Sequence, residues 1–135
     1  MLKDHQIIAI GGGGFGRVMD KSSAVNVSDG FTLYLSEESG SACRIGFQRA
    51  WTSTHGNWKS TSLDINYGQW YHVAVVYNEG AASNDATIYL NGVSIAVDEQ
   101  QPAGDPESDA SQDFTIGSRT GATDRAFEGS ITEVS

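Results

Sequence analysis

The stretch GQWYHVAVVYNEGAASNDATIYLNGVSIAV, Gly68 to Val97, reads as two strands, a tight turn and a third strand. Trp70 to Tyr77 is a continuous run of aromatic and β-branched residues broken only by Ala74, too short for a comfortable helix and long enough to cross a sheet. Asn91-Gly92 lies between two alternating runs, and a type I′ turn needs positive φ at both central residues, which this pair supplies. Closing the hairpin there pairs Leu90 with Val93 and Ile88 with Ile95 and puts all four side chains on one face. Tyr89, Ser94 and Ala96 take the other face.

The same alternation extends upstream. Phe31, Leu33 and Leu35 alternate with Thr32 and Tyr34, a polar turn follows over Ser36 to Ser41, and the pattern resumes at Cys43, Ile45 and Phe47. A second hairpin is expected here, with Cys43 buried and inert on its inward face. Gln6 to Ile10 is a short strand running into the loop Gly11 to Gly14. Ala50 to Leu63 suggests two short strands around a His55-Gly56-Asn57 turn. Asp98 to Asp113, with two prolines, Gly104 and six acids, reads as a loop. Phe114 to Gly117 restarts a strand, Ser118 to Arg125 is a polar loop, and Phe127 to Val134 forms a last strand. The expectation is an all-β chain, an antiparallel β-sandwich, with residues 1–135 as one domain.

Charge and cysteine usage narrow the functional classes. The net charge is −9, and residues 61–135 hold twelve acids against two arginines, whereas residues 1–60 hold five against six basic residues. Nucleic acid is therefore an unsuitable partner, since phosphate binding needs a concentrated basic face. Cys43 is the sole cysteine, which excludes an intrachain disulfide and a cysteine zinc cluster. No segment has the apolar length for membrane insertion as a helix.

Four motifs in order carry a family resemblance: G-x-W-x-H-V-A-V-V-Y at Gly68 to Tyr77, I-Y-L-N-G at Ile88 to Gly92, F-T-I-G at Phe114 to Gly117, and F-x-G-x-I-x-E-V at Phe127 to Val134. The chain resembles laminin G-like domains, which are concanavalin A-like jelly rolls. The resemblance implies that fold, a lectin-like binding role, an extracellular or cell-surface setting, and calcium held by aspartates and backbone carbonyls at one rim. Asp20, Asp29, Asp64, Asp85, Asp98 and Asp124 fall near expected strand ends or loops and are the candidate ligands. Thr132 stands where the family usually has an aspartate, and the chain looks shortened at both ends, so an unpaired sheet edge and a homo-oligomer are expected.

Several motifs point to chemistry that their context denies. GGGGFGRV at Gly11 to Val18 matches glycine-rich phosphate loops, but no following helix, catalytic loop or Asp-Phe-Gly accompanies it. The E-x-D-x-x-E pattern of jelly-roll glycosidases is absent; Glu37-Glu38 falls in the expected turn, and Glu128 and Glu133, five apart, project to opposite faces of a strand. His5, His55 and His72 show no metal-binding spacing, and His72 reads as a structural neighbour of Trp70. The best ligand-binding cluster is Trp51, His55, Asn57 and Trp58, because sugars stack on exposed indoles and hydrogen-bond to amides. The expected function is a non-catalytic module that binds a glycan or protein surface. The alternative is a viral, cell-surface or cassette-encoded assembly protein using its exposed edge, and a glycoside hydrolase is a distant third.

Overall fold

The computed structural model describes residues 6–11, 16–23, 29–119 and 125–134. Twelve strands follow in order: β1 Gln6–Gly11, β2 Arg17–Ser22, β3 Gly30–Ser39, β4 Ala42–Arg49, β5 Gly56–Ser60, β6 Ile65–Asn66, β7 Trp70–Val76, β8 Thr87–Leu90, β9 Val93–Ser94, β10 Val97–Gln100, β11 Thr115–Ile116 and β12 Glu128–Thr132. They form a five-stranded sheet, β12-β1-β7-β8-β9, and a seven-stranded sheet, β10-β5-β4-β3-β2-β11 with β6 also paired to β4. Every pairing between these strands is antiparallel. The described residues contain no helix, as the alternating sequence implies.

The Asn91-Gly92 hairpin forms in the expected register. Leu90 pairs with Val93, the Ile95 N–H donates to the Ile88 carbonyl at 3.0 Å, and φ is 51° at Asn91 and 82° at Gly92. Asn91 also ties the turn to β7: its N–H donates to the His72 carbonyl at 2.8 Å, and its Oδ1 accepts the His72 N–H at 2.9 Å. Ile88 and Leu90 are buried, but Val93 is exposed because β9 is the last strand of its sheet.

Strands β3 and β4 pair from Phe31–Arg49 to Ser39–Ala42, so the polar stretch after Ser36 is mostly strand and the turn shrinks to Gly40-Ser41. Glu37 does not sit in a turn as expected. It occupies a bulge between Ser36 and Ser39 with φ 53°, a distortion that turns a side chain out of the pleat.

Two expectations are corrected. Ala50 to Leu63 holds one strand, β5, and His55-Gly56-Asn57 leads into it; a Cβ at Gly56 would lie 2.5 Å from the Trp58 indole, so glycine is there for packing and not for a turn. Asp98, Glu99 and Gln100 belong to β10, an edge strand on β5 whose acids are solvated, while the rest of the acidic stretch is irregular. Gln6 to Ile10 does form a strand, but residues 12–15 of the glycine loop lie outside the described residues.

Both sheets bury alternate residues in one core. Leu33, Leu35, Cys43, Ile45, Phe47 and Trp58 come from the larger sheet, and Tyr71, Val73, Ile88 and Leu90 from the smaller. Phe127, just before the last strand, and Ile131, within it, pack against this core. The polar partners of this alternation, on β2 to β5, are left on the outer face of the larger sheet.

Candidate functional site

Period two sends Arg17, Tyr34, Ser36, Gln48, Asn57 and Lys59 to the face opposite the core. With Glu37 and Arg125 they line a cleft of about 290 Å³. Tyr34 is its floor. The ring lies across Gly46, where a Cβ would approach it to 2.5 Å, and its hydroxyl donates to Asn57 Oδ1 at 2.7 Å, so one aromatic side chain spans β3, β4 and β5. Arg17 sits over the same ring with its guanidinium carbon 5.8 Å from the centroid, within reach of a cation–π attraction.

The cleft contains buried polar groups with unfilled bonding capacity. Ser36 is 1% exposed, and its Oγ has no hydrogen-bond partner among the described residues. Buried Arg17 is 3.6 Å from Asp20 Oδ2, and neither Arg17 Nε nor that oxygen has a hydrogen-bond partner among the described residues. Buried polar atoms left this way are satisfied by water or ligand. Burial pushes the Arg17 guanidinium down from its ordinary value and Asp20 pulls it back up, but an arginine stays charged at neutral pH. Burial pushes the Tyr34 phenol up, and the hydrogen bond to Asn57 and the nearby Arg17 oppose that shift.

The Glu37 bulge closes one side of the cleft. Its carboxylate is bonded to Lys59 Nζ and lies 2.9 Å from Arg44 Nε, while Arg44 Nη1 reaches Asp98 at 3.2 Å. The Lys59 bond holds the Glu37 carboxyl below its usual range. Glu37 is the one carboxylate among the described lining residues, whereas general acid–base cleavage of a glycosidic bond uses two.

Of the sequence-derived cluster, only Asn57 reaches this cleft. Trp58 points the other way, wholly buried between Phe47 and Tyr77 at ring distances of 6.2 and 4.8 Å. Trp51 is also buried, and its backbone N–H donates to His55 Nδ1 at 3.1 Å, so His55 braces the bend before β5. Neither indole offers a face for a sugar, which corrects the premise of exposed stacking platforms. Two of the cleft residues that were missed carry a signal: Tyr34 and Ser36 alternate with the apolar Leu33 and Leu35, and Gly46 stands opposite Tyr34.

The candidate calcium ligands are dispersed. Asp20 accepts from Ser22 Oγ at 2.7 Å, Asp29 from the Ser23 N–H and Gln112, Asp85 from Gln101, and Asp98 pairs with Arg44. Asp64 directly precedes β6, and Asp124 falls outside the described residues. Among the described residues no three His, Cys, Asp or Glu side chains come together. Cys43 is buried beside Ile45, as expected. No helix among the described residues is long and apolar enough to cross a membrane.

The four motifs and the two-sheet architecture agree with a family comparison. A laminin G family model, described as concanavalin A-like lectin/glucanases superfamily, matches residues 9–135. The chain belongs to this family. No curated protein and no solved structure matches it significantly. At the level of the superfamily this makes the chain a binding module, in a group that also contains glycosidases.

Proposed function

We propose that the chain is a non-catalytic recognition module whose outer-face cleft binds a saccharide. The observation that carries this reading is the buried Ser36 hydroxyl, which has no hydrogen-bond partner among the described residues, in a cleft that also presents Tyr34, Gln48 and Asn57. Amide and hydroxyl groups gathered in one cleft match the hydroxyls of a sugar ring. Glu37, the one carboxylate among the described lining residues and already paired with Arg44 and Lys59, supports binding without hydrolysis. The lining charges, Arg17, Lys59 and Arg125 against Glu37, favour a neutral or acidic ligand over a cation.

A glycan array probed with and without calcium tests this reading. Retention of a related set of glycans, equal with and without the ion, supports it; silence across the array rejects it.

A second reading, self-assembly, is favoured by Trp70 and Val76, which lie 45% and 61% exposed on the outer face of the smaller sheet, and by exposed Val93 on its edge. Light scattering over a concentration series tests it. Growth in mass that Trp70→Ala reverses supports assembly through this face, and a constant monomer excludes it.

A further inference from the structure

A larger cavity, about 460 Å³, lies between the two sheets. Met19, Leu33, Phe47, Val73, Val75 and Phe114 supply apolar walls, and Arg49 and Glu79 are its charged residues. Protein interiors are close-packed and leave few voids larger than a water molecule. A space of this size and lining falls within the range of small-molecule pockets.

Its polar groups specify more than an apolar occupant. Arg49 is 6% exposed, and its Nη1 donates to the carbonyls of Gly30 at 2.9 Å and Ala50 at 3.4 Å, which fixes the plane of the guanidinium. The remaining edge, Nε and Nη2, meets one carboxylate among the described residues: Glu79 Oε2, 2.6 Å from Nε. Glu79 is half exposed, so it can exchange its bond to Arg49 for water at little cost. Nη2 has no acceptor among the described residues. A buried cation at the edge of an apolar cavity, held in place by backbone and neutralised only by a solvent-facing side chain, is a receptor for an anion with an apolar tail.

We propose that the intersheet cavity binds a medium-chain aliphatic carboxylic acid, its chain against the apolar walls and its carboxylate on the Nε/Nη2 edge of Arg49 in place of Glu79. The site is separate from the outer-face cleft, and the proposal stands whether or not a saccharide binds there.

The test uses the full chain with a dansylated undecanoic acid as fluorescent reporter and dodecanoate and dodecanol as competitors. The proposal expects saturable, blue-shifted emission, displacement by dodecanoate, and roughly tenfold weaker displacement by dodecanol, which lacks the charge for Arg49. Glu79→Gln removes the competing carboxylate and is expected to tighten dodecanoate several-fold while leaving dodecanol unchanged. Val75→Phe, checked for native circular dichroism, is expected to weaken both by filling the cavity. No saturable binding by the folded protein overturns the proposal. Equal competition by acid and alcohol, or no effect of Glu79→Gln on the acid, overturns the assignment of Arg49 and with it the ligand class.

Discussion

Tyr34 is the residue on which the outer face depends. Its ring occupies the space a side chain at Gly46 would take, and its hydroxyl holds Asn57 in place. Gly46→Ala therefore drives a methyl into the ring and is expected to cost about 1–3 kcal/mol in chemical denaturation. The Tyr34–Asn57 bond is expected to be lost with it. Tyr34→Phe leaves the ring in place and removes one hydrogen bond, at about 1 kcal/mol. Tyr34 and Tyr77 also set the alkaline behaviour. Burial raises both phenols above their ordinary value of 10.0. The unfolded chain therefore releases those protons first, and stability is intact below pH 10 and falls as pH rises from there through the folded values. Ultraviolet titration should show Tyr34 and Tyr77 ionising above the ordinary phenol value, and Tyr34→Phe should flatten the alkaline loss of stability.

At the scale of elements, β5 shows what the sequence made legible and what it hid. Alternation identified the β3–β4 hairpin and the Asn91-Gly92 turn, because Leu33 faces Phe47, Leu35 faces Ile45 and Leu90 faces Val93 across the strands. Asn57 and Trp58 are adjacent, so once β5 is a strand they must face opposite ways, and only one can meet a ligand at the outer face. Reading His55-Gly56-Asn57 as a turn concealed this, because Gly56 is a turn former in isolation and a packing residue only beside the Trp58 indole. Likewise Asp98 to Gln100 carries loop-like composition but finds β5 as a partner, a tertiary effect that local composition does not encode. Trp58→Ala should cost about 3–5 kcal/mol through the cavity it leaves. Trp58→Phe should retain most of the stability, and any ligand bound at the outer face should bind it as it binds the wild type; affinity lost in a folded Trp58→Phe would return the indole to the binding site.

On the scale of the whole molecule, two sheets share one core, and the chain separates its chemistry by face. The cleft draws seven of its eight described lining residues from the less acidic first sixty and Arg125 from the acidic remainder. A net charge of −9 thus coexists with a cleft in which cations outnumber the one acid. The fold is shared by proteins of many functions, so recognition must be argued from that cleft and not from the sandwich. The most direct measurement is isothermal titration of the strongest array glycan into wild type and Asn57→Ala. The account predicts saturable binding to wild type, at least tenfold weaker binding to a folded Asn57→Ala protein, and no turnover of the glycan. Equal affinity of the two proteins would contradict the placement of the site, and cleavage of the glycan would contradict its non-catalytic character.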